Sequence, residues 1–118
     1  MDNTQLIRDY LAVAVPGQLQ LDRLRAFLAD DVVIDDPLMS IEGADAFVAA
    51  LEATPSGGDM TSTVQDVVAG GDLVAARVHF RAGELAVQFS QWFWIADGRI
   101  TRIQVIYDPR PFLAAAGG

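Results

Sequence analysis

The sequence predicts an α+β fold, with helices first and an antiparallel sheet after them. In the first half of the chain the apolar residues recur at helical spacing, whereas from Thr61 onward they follow the two-residue period of strands. Breaks containing glycine interrupt the second half at hairpin-like intervals, at 70–72, 82–84 and 96–98. Helices followed by a strand meander are typical of the α+β class. We expect a single domain over residues 1–118, because 52% of the residues are hydrophobic and no linker separates two parts.

Two amphipathic helices are predicted at the start of the chain. The first is capped by Asn3 or Thr4 and ends at Pro16-Gly17, because a proline does not continue a helix. Its apolar positions are Leu6, Ile7, Tyr10, Leu11 and Ala14. The second begins near Asp22 and has one apolar side, made of Leu21, Leu24, Phe27 and Leu28.

A short strand and a third helix complete the first half. Residues 32–34 are β-branched, which favours a strand, and the strand is expected to stop at Asp35-Asp36-Pro37 because proline removes a backbone donor. A third helix is predicted from about Ala44 to Ala53. It ends at the segment 54–58, which contains proline and glycine.

The second half is expected to form four consecutive antiparallel strands, and both faces of the third carry large aromatic side chains. One face consists of Val87, Phe89, Gln91, Phe93 and Ile95, and the other of Gln88, Ser90, Trp92 and Trp94. One face therefore packs on the helices. We expect the other to be covered by a second subunit, which gives a homodimer through Trp92 and Trp94. The alternative is that the segment 111–113 folds back over these tryptophans.

The composition excludes several kinds of chemistry. The chain has no cysteine, so it has neither a thiolate nucleophile nor a cysteine-ligated metal. All eight basic residues are arginines, which excludes a lysine Schiff base. His79 is the single histidine, so a multi-histidine metal site is impossible. We expect no metal and no cofactor, although a magnesium or calcium site built from Asp and Glu alone stays open.

The charge and the hydropathy limit the partners and the location. A net charge of −8 repels phosphate backbones, so nucleic acid is not an expected partner. No apolar run is long enough to cross a bilayer, which predicts no membrane partner. The acidic N-terminal segment differs from a secretory signal, and we therefore expect a cytoplasmic protein.

Residues 28–38, which read Leu-Ala-Asp-Asp-Val-Val-Ile-Asp-Asp-Pro-Leu, and then Glu42-Gly43 resemble a segment of nuclear-transport-factor-2-like domains. SnoaL-like proteins and ketosteroid isomerases are the most similar subgroups. The stretches 97–100 and 107–109 are also similar to SnoaL-like domains. The resemblance implies a cone-shaped, strongly curved antiparallel sheet packed on three N-terminal helices around a pocket. It says less about activity, because the superfamily contains isomerases, cyclases, hydrolases, dehydratases and binding modules.

The resemblance to ketosteroid isomerases implies three site residues. Asp36 lies where these enzymes have their general base, next to a proline; alternatively its carboxylate only stabilises a turn. Tyr10 lies where they have an oxyanion-hole tyrosine, or it is a core residue at helical spacing. Gln91 stands close to the position of their protonated aspartate, and an amide donates a hydrogen bond but no proton.

A second set resembles limonene-epoxide hydrolases. Arg77 matches an arginine of their catalytic strand, but His79 and Val105 replace the two aspartates. We expect Arg77 and His79 to share a strand face and to point into the pocket, where Arg77 could pair with Asp36 and His79 could move protons. The opposite face, made of Val74, Ala76, Val78 and Phe80, is more apolar. It is the alternative core face, and in that case both residues turn outward.

The predicted function is a small-molecule enzyme of acid–base type with an apolar pocket. Its substrate would be apolar and carry a carbonyl or an epoxide. The residues expected to line the substrate site are Phe27, Phe47, Phe89, Phe93, Val105 and Tyr107. Two alternatives stay open. One is a non-catalytic protein that binds a hydrophobic ligand, and the other is an epoxide-hydrolase-like enzyme with an altered catalytic set.

Overall fold

A six-stranded sheet with helices packed on one face forms the architecture in the computed structural model, which describes residues 2–15, 19–53 and 60–117. The α+β class predicted from the sequence is confirmed. The elements in chain order are α1 (Asn3–Val13), α2 (Leu21–Ala26), β1 (Leu28–Asp35), β2 (Ser40–Glu42), α3 (Ala44–Ala53), β3 (Met60–Gly70), β4 (Leu73–Ala82), β5 (Leu85–Ala96), β6 (Arg99–Ile106) and α4 (Arg110–Gly117).

The sheet has the strand order β2-β1-β6-β5-β4-β3. The predicted meander of four antiparallel strands is confirmed as β3 to β6. The sheet as a whole is mixed, which corrects the expectation of an antiparallel one, because β1 pairs with β6 in parallel. The strand predicted at 32–34 is only the end of the longer β1, and β2 was not predicted. The register shifts once in three of the strand pairs, and such bulges bend a sheet.

The cap of α1 lies one residue earlier than predicted. Asp2, and neither Asn3 nor Thr4, caps the helix, since its carboxylate accepts a hydrogen bond of 2.8 Å from the backbone N–H of Gln5. The Asn3 side chain instead donates to the backbone carbonyl of Gly71 at 3.0 Å. That bond fastens the start of α1 to the turn between β3 and β4.

The predicted ends of two helices, at Pro16-Gly17 and at 54–58, lie outside the described residues. The second helix is shorter than predicted, because Phe27 is already its C-cap and Leu28 begins β1. Within the described part of the chain the helices have 11, 6, 10 and 8 residues. None of them has the length and apolar character that crossing a membrane requires.

The core lies between the inner face of the sheet and the first three helices. Val74, Ala76 and Val78 of β4 are buried in it, and their partners across the β4–β5 ladder are Phe93, Gln91 and Phe89. Phe93 is the largest fully buried side chain, and it contacts the ring of Tyr10 edge-on at 5.6 Å between centroids. Burial of a side chain of this size contributes about 1.5–3 kcal/mol to stability.

The C-terminal helix covers the inner face, and not the outer one. Phe112 of α4 packs on Phe80, Phe89 and Tyr107, with ring centroids 5.4–6.1 Å apart. Since Phe89 belongs to the inner face, the alternative in which the segment 111–113 covers the two outer tryptophans is wrong. The outer face therefore has no cover within the described residues.

Candidate functional site

A cavity of about 330 Å³ lies between α1, α3 and the inner faces of β3, β4 and β5. The described residues of its wall are Arg8, Tyr10, Leu11, Ala12, Ala14, Val15, Leu19, Phe47, Leu51, Ser62, Val64, Val78 and Gln91. Nine of these side chains are apolar, and no carboxylate is among them. Pockets for small molecules have this composition, in which a few polar groups orient a ligand within an apolar wall.

Three neutral polar side chains of the wall have no hydrogen-bond partner among the described residues. They are the hydroxyl of Tyr10, the amide of Gln91 and the hydroxyl of Ser62. Only 4% of Tyr10 is exposed, and no side-chain atom of the described residues is both fully enclosed and unpaired. The Tyr10 hydroxyl is therefore not fully enclosed, and Tyr10 belongs to the cavity wall, where a bound molecule can contact it.

Burial raises the pKa of Tyr10 above its ordinary value of 10.0, because the phenolate would lose its hydration. The phenol therefore stays protonated at neutral pH and can donate a hydrogen bond. Its ring is held edge-on between Phe27 and Phe93, at 6.1 and 5.6 Å between centroids. A donor fixed in an apolar environment can polarise a carbonyl or bind a hydroxyl.

Asp36 lies in the turn after β1, outside the wall of this cavity. Its Oδ1 accepts hydrogen bonds from the backbone N–H groups of Leu38 and Met39, at 2.7 and 3.0 Å, and its own N–H donates to the Met39 carbonyl. This is the arrangement expected if the carboxylate of Asp36 stabilises a turn. Oδ2 has no partner among the described residues.

A second, smaller cleft of about 210 Å³ contains Asp36 together with Val105. Asp35 pairs with Gln104 across the parallel ladder, so the next residues, Asp36 and Val105, lie side by side. Val105 pairs in turn with Gln91 on β5. Two strand spacings, about 10 Å, thus separate the backbones of Asp36 and Gln91. The two residues belong to one row across the inner face but line different cavities.

Tyr107 directly follows β6, two residues after Val105, and lies on the inner side of the sheet. Its pKa is raised, first by burial and second by the negative charge of Asp36. Its ring packs on Phe89 at 4.7 Å between centroids. The neighbourhood of Asp36 is therefore aromatic on one side, although its Oδ1 is already bonded to the backbone.

Arg77 and His79 point away from the cavity, so the expectation that they face the pocket is wrong. Arg77 pairs with Ser90 across the ladder, its side chain is 63% exposed, and its Nε donates to Asp66 at 2.6 Å. His79 lies opposite Gln88 on the same outer face. The physical reason is the alternation of β4, whose other residues supply the buried core. The hydrolase-like set is not assembled, and Arg77 pairs with Asp66 and not with Asp36.

The predicted substrate-site residues divide into four groups. Phe47 lines the larger cavity. Phe27 and Phe93 pack against the ring of Tyr10 and are not among the residues that line this cavity. Val105 lines the smaller cleft. Phe89 and Tyr107 belong to the aromatic cluster with Phe112.

Three of the acidic residues in and near β1 have arginine partners. Asp30 and Asp45 both bind Arg25, at 2.8 and 3.0 Å, and Asp35 binds Arg102 at 2.9 Å. Among the residues that the structure describes, no group of three or more His, Cys, Asp or Glu side chains is placed to hold a metal ion. The absence of a metal and of a cofactor stays a prediction.

Residues 7–103 match the family model of the SnoaL-like domain. The chain belongs to this family. The fold expected from the resemblance is thereby confirmed, while the family leaves the reaction open. No curated protein sequence matches this SnoaL-like domain.

Solved structures with low sequence identity share the fold of this SnoaL-like domain. A protein of Kribbella flavida that is provisionally named a ketosteroid isomerase has a TM-score of 0.80 and 22% identity, over 89% of this chain and 76% of its own. An NTF2-like protein of unknown function from Cytophaga hutchinsonii has a TM-score of 0.81 and 17% identity, over 96% of both chains. An LEH-like epoxide hydrolase of M. tuberculosis has a TM-score of 0.72 and 21% identity, over 97% of this chain and 94% of its own.

Sequence reasoning missed two polar residues of the cavity wall in this SnoaL-like domain, Arg8 and Ser62. Arg8 lies on the predicted first helix, three positions before Leu11, and this spacing places the two on neighbouring parts of one helix face. Ser62 lies two residues before Val64 on β3, so the two share the inner face. Both could have been found from periodicity once the inner face of the sheet was assigned.

Proposed function

We propose that this SnoaL-like domain binds a small apolar molecule that carries a carbonyl or hydroxyl oxygen in the cavity between α1, α3 and the sheet. The observation that carries the proposal is Tyr10, which lines the cavity and whose hydroxyl has no hydrogen-bond partner among the described residues. A polar group in an apolar wall is costly unless it is bonded, and a ligand oxygen would bond it. The unpaired Gln91 amide supplies further donors and an acceptor in the same wall.

The size of the cavity limits the ligand. A volume of about 330 Å³ lies at the lower end of the range of small-molecule pockets, which is about 300–1,000 Å³. This favours a small ligand such as a monoterpene.

Two monoterpenes that share one skeleton test the proposal. Carvone carries a carbonyl and limonene does not, so calorimetric titration of both measures the contribution of the oxygen. We expect carvone to bind about 5-fold more tightly once the hydrophobicity of the two compounds is accounted for, because one net hydrogen bond contributes ~1 kcal/mol. Tyr10→Phe should remove most of this difference. Thr63→Val, which deletes a hydroxyl on the outer face, should leave it unchanged.

The outcomes are distinct. Binding of neither compound would contradict the proposal as a whole. If carvone kept its advantage in the Tyr10→Phe variant, the pocket would stand but the role of Tyr10 would not.

Proton transfer by Asp36 is a second candidate function, and one geometric observation favours it. Asp36 lies on the same inner-face row as Gln91, and its Oδ2 has no partner among the described residues. A ligand that reaches from the Gln91 side across Val105 would place a carbon acid near this oxygen. The epoxide hydrolase alternative has less support, since Arg77 and His79 lie on the opposite face of the sheet.

Hydrogen exchange tests this candidate directly. In D₂O, a general base should accelerate deuterium incorporation next to the carbonyl of carvone, which NMR detects. Asp36→Asn should lower the protein-dependent rate by about 10²-fold or more. It should leave the melting temperature nearly unchanged, because the amide oxygen can still accept the two turn hydrogen bonds. Asp31→Asn, at an exposed position, is the matched control. An undiminished rate in the Asp36→Asn variant would refute the assignment.

The outer face of the sheet is proposed to bind a second copy of the chain. Trp92 and Trp94 lie on it beside Val68 and Ile106, which are 64% and 50% exposed. Two arginines of this face are paired with acids, as Arg77 binds Asp66 and Arg102 binds Asp35, and Arg102 also lies 5.3 Å from the Trp94 ring. Two copies can therefore meet there with little repulsion, although each chain carries a net charge of −8.

A further inference from the structure

Arg8 is an arginine in the cavity wall that has no ion-pair partner in the described part of the chain. Its side chain is exposed and lines the cavity, and no carboxylate of the described residues lies within ion-pair distance of it. Most other arginines are occupied, each by an acid or by a side-chain amide. The occupied arginines are Arg23, Arg25, Arg77, Arg102 and Arg110.

The charge of the cavity wall differs in sign from that of the protein. The chain has sixteen acidic residues against eight basic ones, yet the described residues of the wall include one arginine and no acid. A cationic ligand would therefore find no counter-charge among these described residues, whereas an anionic ligand would. An apolar pocket with a single cation at its exposed rim matches an amphipathic anion, with the charged group at the rim and the hydrocarbon part inside.

We infer that the ligand of this cavity is a carboxylic acid, whose carboxylate Arg8 binds at the rim while its apolar body fills the interior. This inference rests on the proposed binding function. A carboxylate fits because the two oxygens of a carboxylate match the planar fork of a guanidinium. One arginine balances one negative charge, so a monoanion is favoured over a dianionic phosphate in a protein of net charge −8.

Arg8 and Tyr10 act on different parts of such a ligand. Arg8 is exposed, whereas Tyr10 is buried and meets the cavity from within. A ligand with a carboxylate at one end and a hydroxyl or carbonyl further along would satisfy both groups. The exposed position of Arg8 also limits its contribution, because solvent and salt screen an ion pair at the rim.

Perillic acid and perillyl alcohol are suitable probes, because they share the limonene skeleton and differ in the group at one position. Calorimetry in 50 mM NaCl at pH 7.5 should show about 3- to 5-fold tighter binding of the acid, the size expected for an exposed ion pair. The advantage should shrink in 500 mM NaCl. Arg8→Gln should abolish the advantage, because it removes the positive charge that the carboxylate contacts. Arg81→Gln is the matched control, since Arg81 is also exposed and has no partner among the residues that the structure describes, but lies on the outer face.

Three results would overturn the inference. Equal affinities of the wild type for acid and alcohol would do so and would leave the proposed binding function intact. A preference for the acid that persists in the Arg8→Gln variant, or that Arg81→Gln lowers equally, would show that no specific contact with Arg8 exists. If neither compound bound, the inference and the proposed function would fail together.

Discussion

The substitution Tyr10→Phe separates a hydroxyl that serves a ligand from one that stabilises the fold. When a buried tyrosine donates a hydrogen bond to the protein, its replacement by phenylalanine lowers the free energy of unfolding by about 1 kcal/mol. Here the hydroxyl has no partner among the described residues, so no bond is lost. The ring contacts with Phe27 and Phe93 are kept. Leaving a hydroxyl unpaired in an apolar environment costs about 1–3 kcal/mol, and access to the cavity offsets part of this cost. We therefore expect the free energy of unfolding to stay the same or to rise by up to ~1 kcal/mol.

Urea denaturation followed by tryptophan fluorescence measures this change, with Thr63→Val as the control for loss of a hydroxyl outside the cavity. Alkaline pH provides a second readout. Because burial raises the pKa of Tyr10 in the folded state, its contribution to stability is fully present below pH 10.0 and is lost as the pH rises beyond that value. Tyr10→Phe has no phenol to ionise at this position. The difference in unfolding free energy between the variant and the wild type should therefore grow in favour of the variant above pH 10.0. A loss of more than 1 kcal/mol at neutral pH would refute the reasoning, since it would reveal a structural bond to the hydroxyl.

Three further predictions concern the core, an exposed ion pair and the oligomeric state. Phe93→Ala should lower the unfolding free energy by about 3–5 kcal/mol in urea denaturation, because it empties the centre of the core; a loss below 1 kcal/mol would contradict this packing. The hydrogen bond from Arg25 holds the pKa of Asp30 below 3.8. The contribution of this pair to stability is therefore fully present well above pH 3.8 and is lost as the pH falls below that value. Carboxyl NMR should show the pKa returning towards 3.8 in Arg25→Gln, and an unchanged value would exclude the contact. Sedimentation should show a homodimer at tens of micromolar that Trp92→Asp converts to a monomer, and a wild-type monomer would refute the interface at Trp92 and Trp94.

Much of the fold could be predicted because it depends on local periodicity. The four strands from β3 to β6 follow from alternation and from the glycine-containing turns, and the first three helices follow from apolar spacing. The parallel pairing of β1 with β6 could not be predicted in this way, because it joins Asp35 to Gln104 across most of the chain. The short β2 was missed for a related reason. Its three residues carry too little pattern of their own and depend on pairing with β1.

The site could be predicted in part. Tyr10 and Gln91 were singled out by their resemblance to isomerase positions, and the structure places both in the wall of one cavity. Arg77 and His79 were given the wrong face, because alternation along β4 indicates two faces without showing which one packs on the helices. The turn bonds of Asp36 follow from the Asp-Pro motif. Its distance from the larger cavity depends on the curvature of the sheet and on the aromatic cluster, which no local pattern describes.

A crystal structure of the complex with carvone tests the central claim most directly. The account predicts that carvone occupies the cavity between α1, α3 and the sheet, with its oxygen about 2.7–3.2 Å from the Tyr10 hydroxyl or the Gln91 amide nitrogen. Carvone bound in the smaller cleft beside Asp36, or carvone in the cavity with its oxygen bonded to neither Tyr10 nor Gln91, would contradict the account.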